Sequence, residues 1–165
     1  MNVLAIIKEK NAHLARYSNE NGAIGEELII NNFNELRNRP KGKQSKNLLQ
    51  ALKEKENIVI KWSSYDALHI PKEIEIDFND VESIKKSLQF ITFIEIKSAS
   101  QKRVKEDFSG FFFSLTESEI SASDQLGDRH QVILFNKRTE KILVTSVPEI
   151  INRTKSTNWQ VSVQL

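Results

Sequence analysis

Glu95 and Lys97 stand two apart in "ITFIEIKSAS", at the end of an apolar run. In a strand, residues two apart share a face, so Glu95 and Lys97 point the same way as Ile91 and Phe93, and Ile94 and Ile96 point the other way. Such a pair is either solvent-facing alternation or the charged end of a central strand covered on both faces. Three further acids can join it. Asp66, in "SSYDALHI", is either a turn residue before a strand or a carboxylate in line with Leu68 and Ile70 that needs a partner. Asp77, in "EIEIDF", shares its face with Glu73 and Glu75, while Ile74, Ile76 and Phe78 share the other, so a polar outside is expected there and Asp77 is a reserve ligand. Glu26 falls between Phe33 and Ile30 on a wheel of ~100° per residue, inside the apolar arc, while Glu27 falls outside it. Glu26 is either that inward carboxylate or a first-turn acid favoured by the helix N-terminus.

Three carboxylates brought together repel, and a cation relieves them. All-oxygen ligands favour Mg²⁺ or Mn²⁺. Glu26, Asp66 and Glu95 would be the metal ligands. Lys97, on the face of Glu95, would orient or deprotonate a water and offset charge in the transition state. That donor set suits hydrolysis of a phosphodiester.

The elements that must position these residues follow from pattern. Val3, Ile7 and Leu14 lie on one side of a helix over residues 2–16, and a second helix runs through "AIGEELIINNFNELRN" to a basic loop at Pro40. A third spans 45–56 with Ser45 as N-cap. Then "IVIKW", "ALHI", "EIEIDF" and "ITFIEI" read as strands, with "NDVESIKKSLQ" as a short helix or a long excursion. "GFFFSL" reads as strand-like. Thr116 and Glu119 form a capping box, and Gly127 closes that helix. "HQVILFN" and "KILVTSV" are strands across the turn "KRTE", "PEIINR" is a helical turn opened by its proline, and "WQVSVQL" is a closing strand. The order is α/β, or α+β: a central mixed β-sheet flanked by helices in one domain, residues 1–165.

Several classes are excluded. The 165 residues contain no cysteine, which rules out disulfides, thiolate zinc sites and cysteine nucleophiles. That fits a reducing, cytoplasmic setting. No apolar run approaches the ~20 residues of a membrane span, so no membrane partner is expected. The net charge of +2 argues little. The local charge says more. Lys102, Arg103 and Lys105 follow directly after the Glu95 strand and could grip phosphates, with Gln101 as a guess for ligand orientation. Arg37, Arg39, Lys41 and Lys43 read more simply as a soluble basic loop.

The order of Glu26 on a helix, Asp66 ahead of a strand, then "IEIK" resembles the PD-(D/E)xK nuclease superfamily. A narrower likeness joins it. "GAIGEELIINNF", "SSYDALHI", "FIEIKSAS", "FSLTESEISASDQLGDRHQVILFN" and "NWQVSV" resemble, in order, segments of the domain found at the C-terminus of the plant protein NO VEIN and in many prokaryotic defence and restriction proteins. Ser64 replaces a usual glycine and Ser118 a usual asparagine. The likeness covers residues 20–165. It leaves 1–18 as an N-terminal helical extension and 71–90 as an insertion between the Asp66 strand and the Glu95 strand. The resemblance implies a restriction-endonuclease-like core, a Mg²⁺- or Mn²⁺-dependent endonuclease acting on DNA, and a setting in defence or restriction. A homodimer or a larger defence complex would suit it. The other readings are a catalytically inactive nucleic-acid-binding or protein-interaction module on the same fold, and a structural subunit docked through Val3, Ile7 and Leu14.

Overall fold

The computed structural model describes residues 27, 29–31 and 35–155. The expected helix over 2–16, Glu26 and the closing strand "WQVSVQL" lie outside those residues. Within them, five strands form one mixed sheet in the order β1-β2-β3-β4-β5. These are β1 Leu36–Asn38, β2 Ala67–His69, β3 Thr92–Ala99, β4 His130–Asn136 and β5 Lys141–Thr145. All neighbouring pairs are antiparallel except β3 and β4, which run parallel. The helices are α1 Gly42–Glu56, α2 Val81–Ser87, α3 Glu117–Leu126 and α4 Val147–Arg153.

Both faces of the sheet are covered, as the apolar character of β3 requires. Phe93 and Leu68 pack under α1, α2 and α3, against Leu48, Ala51, Leu52, Ile84, Ala122 and Leu126. Farther along the same face, Val132 and Leu134 pack with Val147, Phe108, Phe111 and Phe113. On the opposite face Ile94 and Ile96 meet Ile29, Ala67, Ile133 and Phe135. Residues 27 and 29–31 are helical, with Glu27 exposed and Ile29 buried. That part of the helix therefore lies on the Ile94 face.

Several elements depart from expectation, each for a physical reason. "LRN" ends no helix; it forms β1, paired with β2. Pro40 biases the chain before it toward extended backbone. Helix α1 starts at Gly42, not at Ser45, which is buried one turn inside; Lys41 precedes it in extended conformation without a side-chain cap. "IVIKW" is not a strand. Gln125 of α3 accepts from the Val59 N–H and donates to the Val59 carbonyl, satisfying the backbone where a strand would have done so. Trp62–Ser64 then make a 3₁₀ turn.

"EIEIDF" alternates as expected, but outside the sheet. Ile74, Ile76 and Phe78 pack on the core, while Glu73, Glu75 and Asp77 are exposed. "GFFFSL" likewise forms no strand; Phe111, Phe113 and Leu115 pack on the core instead. Helix α3 has the expected capping box of Thr116 and Glu119 and ends at Gly127. The proline-led helix is α4, with a second capping box of Ser146 and Glu149. Residues 71–90 join β2 to β3 through α2, which packs against α1.

Candidate functional site

The pairing of β2 with β3 places the site. Ala67 is opposite Ile94, and Asp66 stands in the bend just before the ladder, near enough to Glu95 for their charges to interact. Asp66 is held firmly there. Its N–H donates to the Ile94 carbonyl at 2.8 Å, and its Oδ2 accepts from the Ile96 N–H at 2.9 Å. Two carboxylates are thus held close together at the end of a short strand, Glu95 buried and Asp66 half-buried.

Lys97 stands on the same face. Its Nζ is 2.7 Å from Glu95 Oε1 and 3.1 Å from Glu119 Oε2. Glu95 and Glu119 are each 5% exposed. Glu119 also accepts from the Thr116 N–H at 3.0 Å, so one carboxylate caps α3 and pairs with the lysine. The capping box carries this second role because its acid faces the sheet. The sequence showed the box and not the direction in which it points.

The electrostatics follow from burial. Glu95 is pushed up to about 8, first by loss of water and then by the Asp66 charge, with Lys97 opposing. Burial also raises Asp66; the Ile96 N–H, Lys97 and Arg39 pull it back. Burial pulls the Lys97 ammonium down, but Glu95 and Glu119 together outweigh it and hold it above its usual value. Lys97 is therefore a cation in this arrangement.

Two residues behind the site carry polar atoms that sequence reasoning did not single out. His130 opens β4 opposite Phe93, and its Nε2 donates to the Ser64 carbonyl at 3.1 Å. Burial lowers its pKa, so it is neutral. Tyr65 is fully buried, edge-on to Phe93, and burial pushes its hydroxyl up to about 12. Among the described residues Glu95 Oε2, His130 Nδ1 and Tyr65 Oη are buried without a hydrogen-bond partner. A buried orphan acceptor on an acid points to a missing cation, proton or water. No sequence signal marks His130; Tyr65 is marked only by standing beside Asp66.

The other candidates lie apart. Asp77 is exposed and ties the turn before α2, accepting from the Asn79 N–H at 2.8 Å while its own N–H donates to Ser83 Oγ. Lys102, Arg103 and Lys105 are exposed on the loop after β3, and Gln101 accepts from Arg103 Nε at 3.2 Å. Arg37, Lys41 and Lys43 are exposed around β1 and the start of α1. Arg39 is different: its N–H donates to the Asp66 carbonyl and its guanidinium to the Tyr65 carbonyl at 2.9 Å.

Among the described residues no cluster of three His, Cys, Asp or Glu side chains is arranged to hold a metal ion. Asp66 and Glu95 provide two carboxylates. That number suits Mg²⁺, which keeps most of its waters and takes one or two carboxylates plus substrate phosphate. No helix among the described residues is long and apolar enough to cross a membrane. No family model, curated protein or solved structure matches the chain.

Proposed function

We propose that this protein is a metal-dependent endonuclease that hydrolyses DNA phosphodiester bonds, of the PD-(D/E)xK kind and acting in prokaryotic defence or restriction. The observation that carries the reading is the buried Glu95 Oε2, without a partner among the described residues, close to the Asp66 charge and flanked by the Lys97 cation. Nothing in fold stability calls for two close carboxylates there, since burying like charges costs several kcal/mol.

Asp66 and Glu95 would hold the Mg²⁺ or Mn²⁺, with Glu26 as the further ligand. The metal would supply charge to polarise the phosphoryl oxygen and acidify a water. The chain's own residues would do the rest. The Ile96 N–H fixes one Asp66 oxygen so that the other is presented. Lys97 orients the attacking water and offsets the negative charge on the phosphoryl oxygens as the new P–O bond forms and the bond to the departing sugar oxygen breaks, that oxygen taking a proton from solvent water. Glu119 fixes Lys97 from behind. Lys102, Arg103 and Lys105 would contact backbone phosphates without reading sequence.

Plasmid and linear DNA cleavage with Mg²⁺ or Mn²⁺ tests this. Wild type is expected to cut, Glu95→Ala, Lys97→Ala and Asp66→Asn to lose cutting, and Asp77→Asn to keep it. Loss in Asp77→Asn with retention in Asp66→Asn would reverse the ligand assignment. Tight DNA binding without metal and without cutting would favour the inactive binding module.

A further inference from the structure

Trp62 is a large apolar side chain left 56% exposed, four residues before Asp66. Its ring is not unattended. The Arg39 guanidinium lies over it, 4.4 Å from the ring centroid. Arg39 is anchored by the Trp62 and Tyr65 carbonyls, and among the described residues no carboxylate pairs with it. Arg39 also joins directly to the backbone of Asp66. The 3₁₀ turn that carries Trp62 packs against α3, the helix that supplies Glu119.

A second pair repeats the chemistry. Arg103 lies 5.6 Å from the Phe112 ring centroid, and Phe112 is 62% exposed. Both stand on the loop from β3 to α3, where Lys102 and Lys105 flank Arg103 in sequence. Gly110 keeps that loop closed, with φ +84 and a position where a Cβ would come within 2.6 Å of the Arg103 carbonyl oxygen. Exposed aromatic faces beside arginines that form no salt bridge among the described residues suit one ligand chemistry well. A flat base stacks on the ring while its phosphate meets the guanidinium. In duplex DNA the bases stack on each other, and their faces are not offered to a side chain.

We propose that Trp62 and Arg39 form a stacking platform for an unpaired nucleobase at the Asp66 side of the site, so that the protein takes single-stranded or locally unpaired nucleic acid. The Arg103 and Phe112 pair holds the strand at a second point. This rests on the nuclease reading for the identity of the site beside the platform. Its binding step can be measured without any cutting.

The test uses the full chain in EDTA, with labelled single-stranded DNA and RNA of about twelve nucleotides and a duplex of the same sequence, read by fluorescence anisotropy. Binding of either single strand should exceed that of the duplex. Trp62→Ala should weaken it about tenfold or more, and Trp62→Phe should restore most of it. Because Trp62 is exposed, the alanine variant should keep the wild-type melting temperature, and that is checked alongside. Equal binding by wild type and Trp62→Ala, a preference for duplex, or no nucleic-acid binding would each overturn the platform. Strand binding through Trp62 without any cleavage in Mg²⁺ would keep the platform and remove the nuclease. Cleavage of duplex that ignores Trp62→Ala would do the reverse.

Discussion

The Glu95 carboxyl makes a measurable demand on folding. In the unfolded chain it gives up its proton near 4.5; in the native state, without metal, it does so at about 8. Between those values the native state holds more protons than the unfolded state. Stability must then fall as pH rises through that window, by at most about 1.4 kcal/mol per pH unit from this one group. Integrated over the window the loss is of the order of several kcal/mol, a large share of a small domain's total. Asp66, also raised by burial, adds a slope of the same sign from lower pH. Lys97 does not cancel it. A raised ammonium contributes stability that is present throughout this range and is lost only as pH rises from the ordinary lysine value of 10.5 through its own elevated one. Glu95→Gln keeps the shape and removes the titration. Urea midpoints in EDTA at pH 5.5, 7 and 8.5 should therefore fall steeply for wild type and more gently for Glu95→Gln, so that the variant is the more stable at alkaline pH. If the two profiles run parallel, Glu95 does not hold its proton and the desolvation argument fails. Mg²⁺ at a hundred times its pH 8.5 Kd should stabilise wild type by about 2.7 kcal/mol at pH 8.5 and by less at pH 5.5, and leave Glu95→Gln unmoved.

Other predictions separate the roles of neighbouring groups. Glu119→Ala removes both the cap and one partner of Lys97 and should cost about 1–2 kcal/mol by thermal unfolding, while Glu119→Gln, which can still complete the capping box, should cost less. Asp66→Asn removes the second-largest influence on Glu95, and NMR titration of the Glu95 carboxyl should then give a value below about 8. Gly110→Ala forces a side chain into the left-handed region and onto the Arg103 backbone, and should destabilise by more than about 1 kcal/mol in denaturant unfolding.

Some features were legible because their causes are local. Alternation along "ITFIEIK" placed Glu95 and Lys97 on one face and two isoleucines on the other, and the apolar start of the charged face marked a strand covered on both sides. The Thr116 and Glu119 box and the proline at α4 depend on nearest neighbours and were equally readable. Alternation in "EIEIDF" correctly gave the buried and exposed sides. It could not say whether a sheet edge was available, because that depends on which strands already occupy the ladder. "GFFFSL" and "IVIKW" failed for the same reason: strand propensity needs a partner, and here a glutamine side chain or the apolar core served instead.

The sequence by itself determined which residues could do chemistry, their spacing, and the mixed α/β order, since these follow from side-chain type and from periods of 2 and 3.6. Only the tertiary structure decided that Asp66 comes beside Glu95, where β2 meets β3. It also turned a helix cap into a partner for Lys97, and set Arg39 on Trp62 beside the site. These contacts join residues 22 to 30 positions apart, and their energies depend on burial that no local pattern encodes.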